Sequence, residues 1–244
     1  ALVKSSTCTI GIFAREPIAG KTKTRLIPLL GSEGAAQFHR RCIRAALYTS
    51  QEAALGNINL FVTPALQQDS FFYTLSQAPV CVLQTGDDLG ARMHNAFVHG
   101  LQRASRMIII GTDCPMLTAA HPQVVDAWLT QHDGSCFIPA EDGGYVLVGL
   151  SAPQAALFAH IDWGTERVMQ QTKLAASVAG ISRLSFRRYP SALHHRPSRD
   201  GARYRFLSKY PRNIKLWLTQ IVRCQAMHKL QCCRRIRQVL PPVC

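Results

Sequence analysis

The chain has 244 residues, 47% of them hydrophobic and 17% charged, with a formal net charge of +14. That length and apolar content suit one α/β domain with an appendage, and no apolar run approaches the roughly 20 residues of a membrane span. The basic excess is local: residues 1–182 carry 13 basic and 13 acidic residues, whereas residues 183–244 carry 15 basic residues against the single acid Asp200. An argument about partners from charge is therefore an argument about the tail alone. The nine cysteines include no C-x-x-C pair, and the opening Ala1-Leu2-Val3-Lys4-Ser5-Ser6 lacks the sustained apolar stretch of a secretory signal. Reduced thiols in a cytoplasm are expected.

The first predicted strand, 8–14, is a near-continuous apolar run of the kind buried parallel strands show. It leads directly into a loop from Arg15 to Arg25 that carries four cations, Arg15, Lys21, Lys23 and Arg25. Ligands of open α/β sheets sit outside the carboxyl ends of the strands. Arg pairs with phosphate there in bidentate fashion and Lys acts as a point charge. The loop is thus expected to grip a polyphosphate. Gly20-Lys21-Thr22 is not a P-loop, because the glycine due five residues before the Gly-Lys pair is Arg15.

A helix is predicted over 32–54, with Ser32 and Glu33 at its start. A strand at 57–63, a helix over 66–77 and a strand at 79–83 follow. Gln84 to Met93 then joins strand to helix, the helix running over 89–104 with Asp88 as its cap and Arg92 one turn inside. Arg92 is either a phosphate or carboxylate ligand or a surface arginine. The next strand, 106–111, is again almost wholly apolar and ends in Gly111-Thr112-Asp113-Cys114-Pro115. One carboxylate at a central strand's tip suits Mg²⁺, which takes one or two carboxylates and completes its shell with substrate phosphates. Capping the following turn is the plainer alternative.

Beyond a helix at 121–132, strands at 134–139 and 144–150 flank Pro139-Ala140-Glu141-Asp142-Gly143-Gly144-Tyr145. This is a hairpin signal, yet its two glycines also permit close backbone approach to a ligand. Asp142 is better placed than Glu141 for a role there, and Tyr145 is suited to stack on a base or sugar. Asp162-Trp163-Gly164-Thr165 opens the last predicted helix, 164–178, with Trp163 serving as a lid on the core or as a binding residue. The alternation of strands and helices argues a parallel or mixed sheet covered on both faces. No Ser/His/Asp order reads as a triad. Transfer at a phosphate needs little beyond positioning and charge neutralisation.

Five blocks in this order resemble the GT-A-like family of small bacterial transferases related to phospholactate and molybdenum-cofactor guanylyltransferases and to nucleotide-diphospho-sugar transferases. They are Phe13-Ala14-Arg15-Glu16-Pro17 with Gly20 to Leu26, Gly86 to Met93, Gly111 to Pro115, Asp142 to Tyr145, and Trp163-Gly164-Thr165. The resemblance implies an α/β, Rossmann-like fold with a mixed or mostly parallel sheet. It implies nucleotide binding through Ala14, Arg15, Gly20, Lys21, Lys23, Arg25, Asp88 and Arg92, and a divalent metal, Mg²⁺ or Mn²⁺, on Asp113. Asp142 would face the acceptor or the metal, and Gly143, Gly144, Tyr145, Trp163 and Thr165 would form the acceptor side. The expected activity is metal-dependent glycosyl transfer from a nucleotide-sugar to a small acceptor. Nucleotidyl transfer from a nucleoside triphosphate is the alternative.

The tail departs from that family. Where relatives carry an acidic Asp-x-Asp-x-Pro-x-Asp segment, this chain reads Leu193 to Arg205 with Asp200 as its only acid. The transferase domain is therefore expected to span residues 1–190, and 191–244 to be a basic tail outside its selected fold, as a shift of reading frame near 190 would produce. The rival reading is a genuine basic arm for nucleic acid or an anionic membrane surface, with an amphipathic helix over 214–221.

Overall fold

The two apolar runs lie side by side at the centre of the sheet. In the computed structural model, which describes residues 5–64, 66–75, 79–114, 117–140 and 142–187, they are β1 (Ser5–Arg15) and β4 (Ala104–Gly111). Around them stand β2 (Ile58–Thr63), β3 (Val80–Leu83), β5 (Ser135–Pro139), β6 (Tyr145–Leu150) and β7 (Leu184–Phe186). The order across the sheet is β3-β2-β1-β4-β6-β5-β7. The first four of these run parallel, and β6 alone opposes its neighbours β4 and β5. The expected α/β architecture with a mostly parallel, mixed sheet is the observed one.

Alternation along β4 explains why its stretch from Met107 to Ile110 carries no polar residue. Ile108 and Ile110 fall on one face with Ile10 and Ile12, beneath Ile43 and Leu47 of α1 (Ile27–Ala53) and Val125 and Leu129 of α3 (Ala120–Gln131). Met107 and Ile109 fall on the other, against Met93 and Phe97 of α2 (Leu89–Gly100) and Met169 of α4 (Val168–Val178). A strand buried on both faces has no side left for polar residues. Among the described residues no helix is long and apolar enough to cross a membrane.

Several boundaries differ from the sequence reading. The first helix begins at Ile27, not Ser32, and bends at Gly31, whose φ of 69° is left-handed. Instead of a helix over 66–77 there is a single 3-10 turn, Phe71–Thr74. The cause is long-range: the Glu16 carboxylate at the end of β1 accepts from Ser70 Oγ at 2.7 Å and from the Phe71 N–H at 2.8 Å. Those bonds cap the turn and tie it to the sheet, with Phe72 buried beneath. The edge strand β7, three residues long, was not anticipated. Residues 188–244, and with them the proposed domain boundary, the tail and its helix over 214–221, lie outside the described residues, as do Pro115 and Glu141.

Replacing Glu16 by Ala should leave the Ser70 hydroxyl and the Phe71 amide without their acceptor. The expected loss is about 1–3 kcal/mol of unfolding free energy, read from urea denaturation, with Glu16→Gln recovering part of it. An Ala variant as stable as the parent would show that the tie is dispensable.

Candidate active site

Strand pairing alone gathers the motifs. β1 and β4 are parallel neighbours with Phe13 opposite Gly111, so the cationic loop and Asp113 leave the sheet at the same rim. The chain runs outward from β1 to β2 and β3 and returns to β4, which makes this gap the switch point where ligands of doubly wound sheets bind. β6 runs antiparallel to β4 with Leu147 opposite Ile110, so its first residue, Tyr145, and the preceding Asp142 turn stand at that rim too.

The loop closes on the strand tip through an ion pair. Lys23 Nζ lies 2.6 Å from Asp113 Oδ1, with the lysine side chain 7% exposed and the aspartate 71%. Lys23 has left-handed backbone, φ 48° and ψ 41°, at the start of the 3-10 turn Thr24–Leu26. That conformation costs a non-glycine residue roughly 1–2 kcal/mol, and the surrounding loop holds it. The protein packed about the strand tip opposes ionisation of Asp113, but the Lys23 ammonium and its hydrogen bond keep the carboxyl below its usual range, helped by the Thr112 hydroxyl.

His39 on α1 is the residue that the sequence reading missed. It is 3% exposed and lines the same cleft. Burial first, and then the Lys23 ammonium, lower its pKa to about 4, so it is neutral near pH 7. Its Nε2–H donates to the Arg15 carbonyl at 3.1 Å. The proton is therefore on Nε2, and Nδ1 is left as a buried acceptor with no hydrogen-bond partner among the described residues. Nothing local marked this histidine, because its neighbours Ala35, Ala36, Phe38, Cys42 and Ile43 form the buried face of the helix.

The first cleft holds about 560 Å³ and is lined by Ala14, Arg15, Lys21, Lys23, Arg25 and Arg92, with Asp113 its one carboxylate among the described residues. Arg92 is aimed by its Nε–H, which donates to the Gly86 carbonyl at 3.0 Å. Two expected nucleotide residues do not reach the cleft lining. Gly20, at φ 80°, turns the loop, and Asp88 is the α2 cap, accepting from the Ala91 N–H at 2.7 Å.

A second cleft of about 570 Å³ shares Phe13, Arg25, Leu89, Gly111 and Asp113 with the first. Its walls are Met93, Asp142, Gly144, Tyr145, Trp163, Thr165 and Val168. The Tyr145 ring stands edge-on to Trp163 at 6.2 Å and to Phe137 at 5.0 Å. Asp142 Oδ1 accepts from the Gly144 N–H at 3.0 Å, and the Thr165 hydroxyl donates to the Asp162 carbonyl at 2.8 Å. Gly143 is not on the lining. It has φ +84°, and a Cβ there would meet the Glu166 carbonyl at 2.1 Å. Likewise a Cβ on Gly90 would stand 2.3 Å from the Phe158 carbonyl and 2.9 Å from Trp163 Nε1. The Gly86–Met93 and Asp142–Tyr145 blocks are thus packed tightly against the segment 158–166 that carries Trp163. Among the described residues there is no group of three or more His, Cys, Asp or Glu side chains suited to a metal.

Residues 46–165 match a family described as an uncharacterized protein conserved in bacteria (DUF2064). A protein from Desulfovibrio desulfuricans G20, described as a candidate nucleotide-diphospho-sugar transferase, superposes with a TM-score of 0.69 at 22% identity, over 91% of this chain and 99% of its own. The two chains share one fold. A CMP-2-keto-3-deoxy-manno-octonic acid synthetase complexed with CTP gives 0.48 at 11% identity, over 75% of this chain and 90% of that one. Rv0371c of Mycobacterium tuberculosis H37Rv, in complex with manganese, gives 0.45 at 15%, over 76% and 89%. At those scores neither bears on the chemistry of this chain. No curated protein matches the sequence.

The buried neutral histidine makes stability pH-dependent. His39 titrates at about 4 folded and near its ordinary 6.5 unfolded. Between those values the unfolded chain binds more protons, so stability falls as pH drops from about 6.5 toward about 4. Its share of the loss is about 2–3 kcal/mol. Urea unfolding at pH 7 and pH 4.5 should show that loss, and His39→Gln, which retains a donor for the Arg15 carbonyl, should shrink it. Equal pH dependence in both proteins would refute the assignment.

Proposed function

We propose that the protein is a metal-dependent transferase that uses a nucleotide-activated donor, moving a glycosyl unit from a nucleotide-sugar to a small acceptor. The observation that carries this reading is the convergence of Arg15, Lys21, Lys23, Arg25 and Arg92 on one exposed carboxylate at the end of a central strand. A wall of cations with a single acid suits a diphosphate. The adjoining cleft, with Tyr145, Trp163 and Met93 on its walls, suits the sugar and the acceptor.

A lone carboxylate fits a hard cation that takes its remaining ligands from phosphate and water, as Mg²⁺ and Mn²⁺ do. Asp113 is the residue that would hold it; when bound, such a cation neutralises charge building on the diphosphate leaving group. Arg15, Lys21, Arg25 and Arg92 would share that work by donating to phosphate oxygens in positions set before the donor arrives. Asp142 would hold the acceptor hydroxyl and take its proton. The acceptor oxygen bonds to the anomeric carbon while the bond to the diphosphate oxygen breaks, and the nucleoside diphosphate leaves. Neutral His39 beneath the loop adds no charge to the cation wall.

A thermal-shift panel of nucleotides and nucleotide-sugars, with and without Mn²⁺, should single out a donor that stabilises the protein only when metal is present. Release of nucleoside diphosphate would mark glycosyl transfer, and release of pyrophosphate would assign nucleotidyl transfer instead. Arg25→Ala should weaken donor binding by about 1.5–3 kcal/mol, the usual worth of a charge-assisted hydrogen bond. Asp113→Asn should remove the metal dependence while leaving the circular dichroism spectrum intact. Unchanged affinity and metal response in both variants would mean that the donor binds elsewhere.

A further inference from the structure

Lys23 and Asp113 are both needed by an incoming donor, yet each already holds the other. We infer that Lys23 is the resident counter-cation of Asp113 and releases the carboxylate only to a divalent cation that arrives already bound to a diphosphate, so that metal and donor enter as one unit. This rests on the transferase reading and adds to it the form in which the donor is recognised.

Three observations support the exchange. The lysine is fixed, not wandering: its backbone is left-handed, its side chain is 7% exposed and its ammonium lies 2.6 Å from Asp113 Oδ1. The aspartate is reachable, since 71% of its side chain is exposed toward the cleft. Finally, among the described residues the lining of the first cleft offers a displaced ammonium no other carboxylate, only the cations Arg15, Lys21, Arg25 and Arg92.

A bare divalent cation would therefore have to push a positive charge into a positive wall. Its other ligands are missing as well, because the described residues supply no third metal-binding side chain. A metal–diphosphate complex removes both obstacles. Its phosphate oxygens complete the metal shell, and its remaining negative charge gives Lys23 a new partner. Lys23 leaves Asp113 for a phosphate oxygen, and Asp113 turns from lysine to metal. No ion is left unpaired at any stage.

Inorganic pyrophosphate supplies the shared chemistry without a base or sugar. Binding of Mn²⁺ to the full chain, followed by electron paramagnetic resonance of the free ion, should be weak alone and at least about tenfold tighter with pyrophosphate present. Lys23→Met should bind Mn²⁺ alone about tenfold more tightly than the parent, because the competing ammonium is gone. It should also bind pyrophosphate more weakly and lose most of the mutual enhancement. Lys23→Asn, which accepts left-handed backbone more readily, repeats the comparison should the Met variant fail to fold. Mn²⁺ affinity that does not rise in either variant, with enhancement intact in the parent, would overturn the exchange and leave the transferase reading standing. A parent protein that binds no pyrophosphate at any Mn²⁺ concentration would overturn both.

Discussion

The Lys23–Asp113 ion pair joins the first crossover loop to the end of a central strand, across 90 residues of chain. It can form because β1 and β4 pair in parallel, in a register that sets Phe13 opposite Gly111. An ion pair with one exposed partner contributes little to stability, roughly 0–1 kcal/mol. Its consequence is geometric. The pair lays the loop over the strand tip, with Arg15, Lys21 and Arg25 on one wall and the buried His39 beneath them.

The second cleft is shaped by a different constraint. Gly90 and Gly143 sit where a side chain would strike the Phe158 and Glu166 carbonyls, so α2, the Asp142 turn and the Trp163 loop form one packed unit. The backbone N–H of Met169 donates to the Gly143 carbonyl at 2.8 Å and closes that unit onto α4. Tyr145 and Trp163 owe their positions to this packing. Their rings line a cleft that meets the first one at Arg25 and Asp113, where in the proposed reaction the transferred group would pass.

Much of this was legible in the sequence because the signals are local. Apolar runs that leave no polar face announced β1 and β4, and the residues just after each run sit by necessity at the rim. What escaped was long-range. The turn at Phe71–Thr74 depends on Glu16, 55 residues earlier, and no pattern within 66–77 reveals that. The short edge strand β7 is defined by its pairing with β5 and not by its own three residues. His39 looks like a core residue because it is one, and only its bond to the Arg15 carbonyl makes it part of the cleft floor. Asp88 was read both as a cap and as a nucleotide residue; its bond to the Ala91 N–H places it as the cap. The pairing of Lys23 with Asp113 is likewise invisible in the sequence, which assigns Lys23 to the nucleotide and Asp113 to the metal.

A crystal structure of the protein with Mn²⁺ and a nucleoside diphosphate tests the central claim most directly. The account predicts Mn²⁺ bridging Asp113 and the diphosphate, with the Lys23 ammonium on a phosphate oxygen and Arg25 between the two clefts. A nucleotide bound away from this rim, with the Lys23–Asp113 pair unbroken, would contradict it.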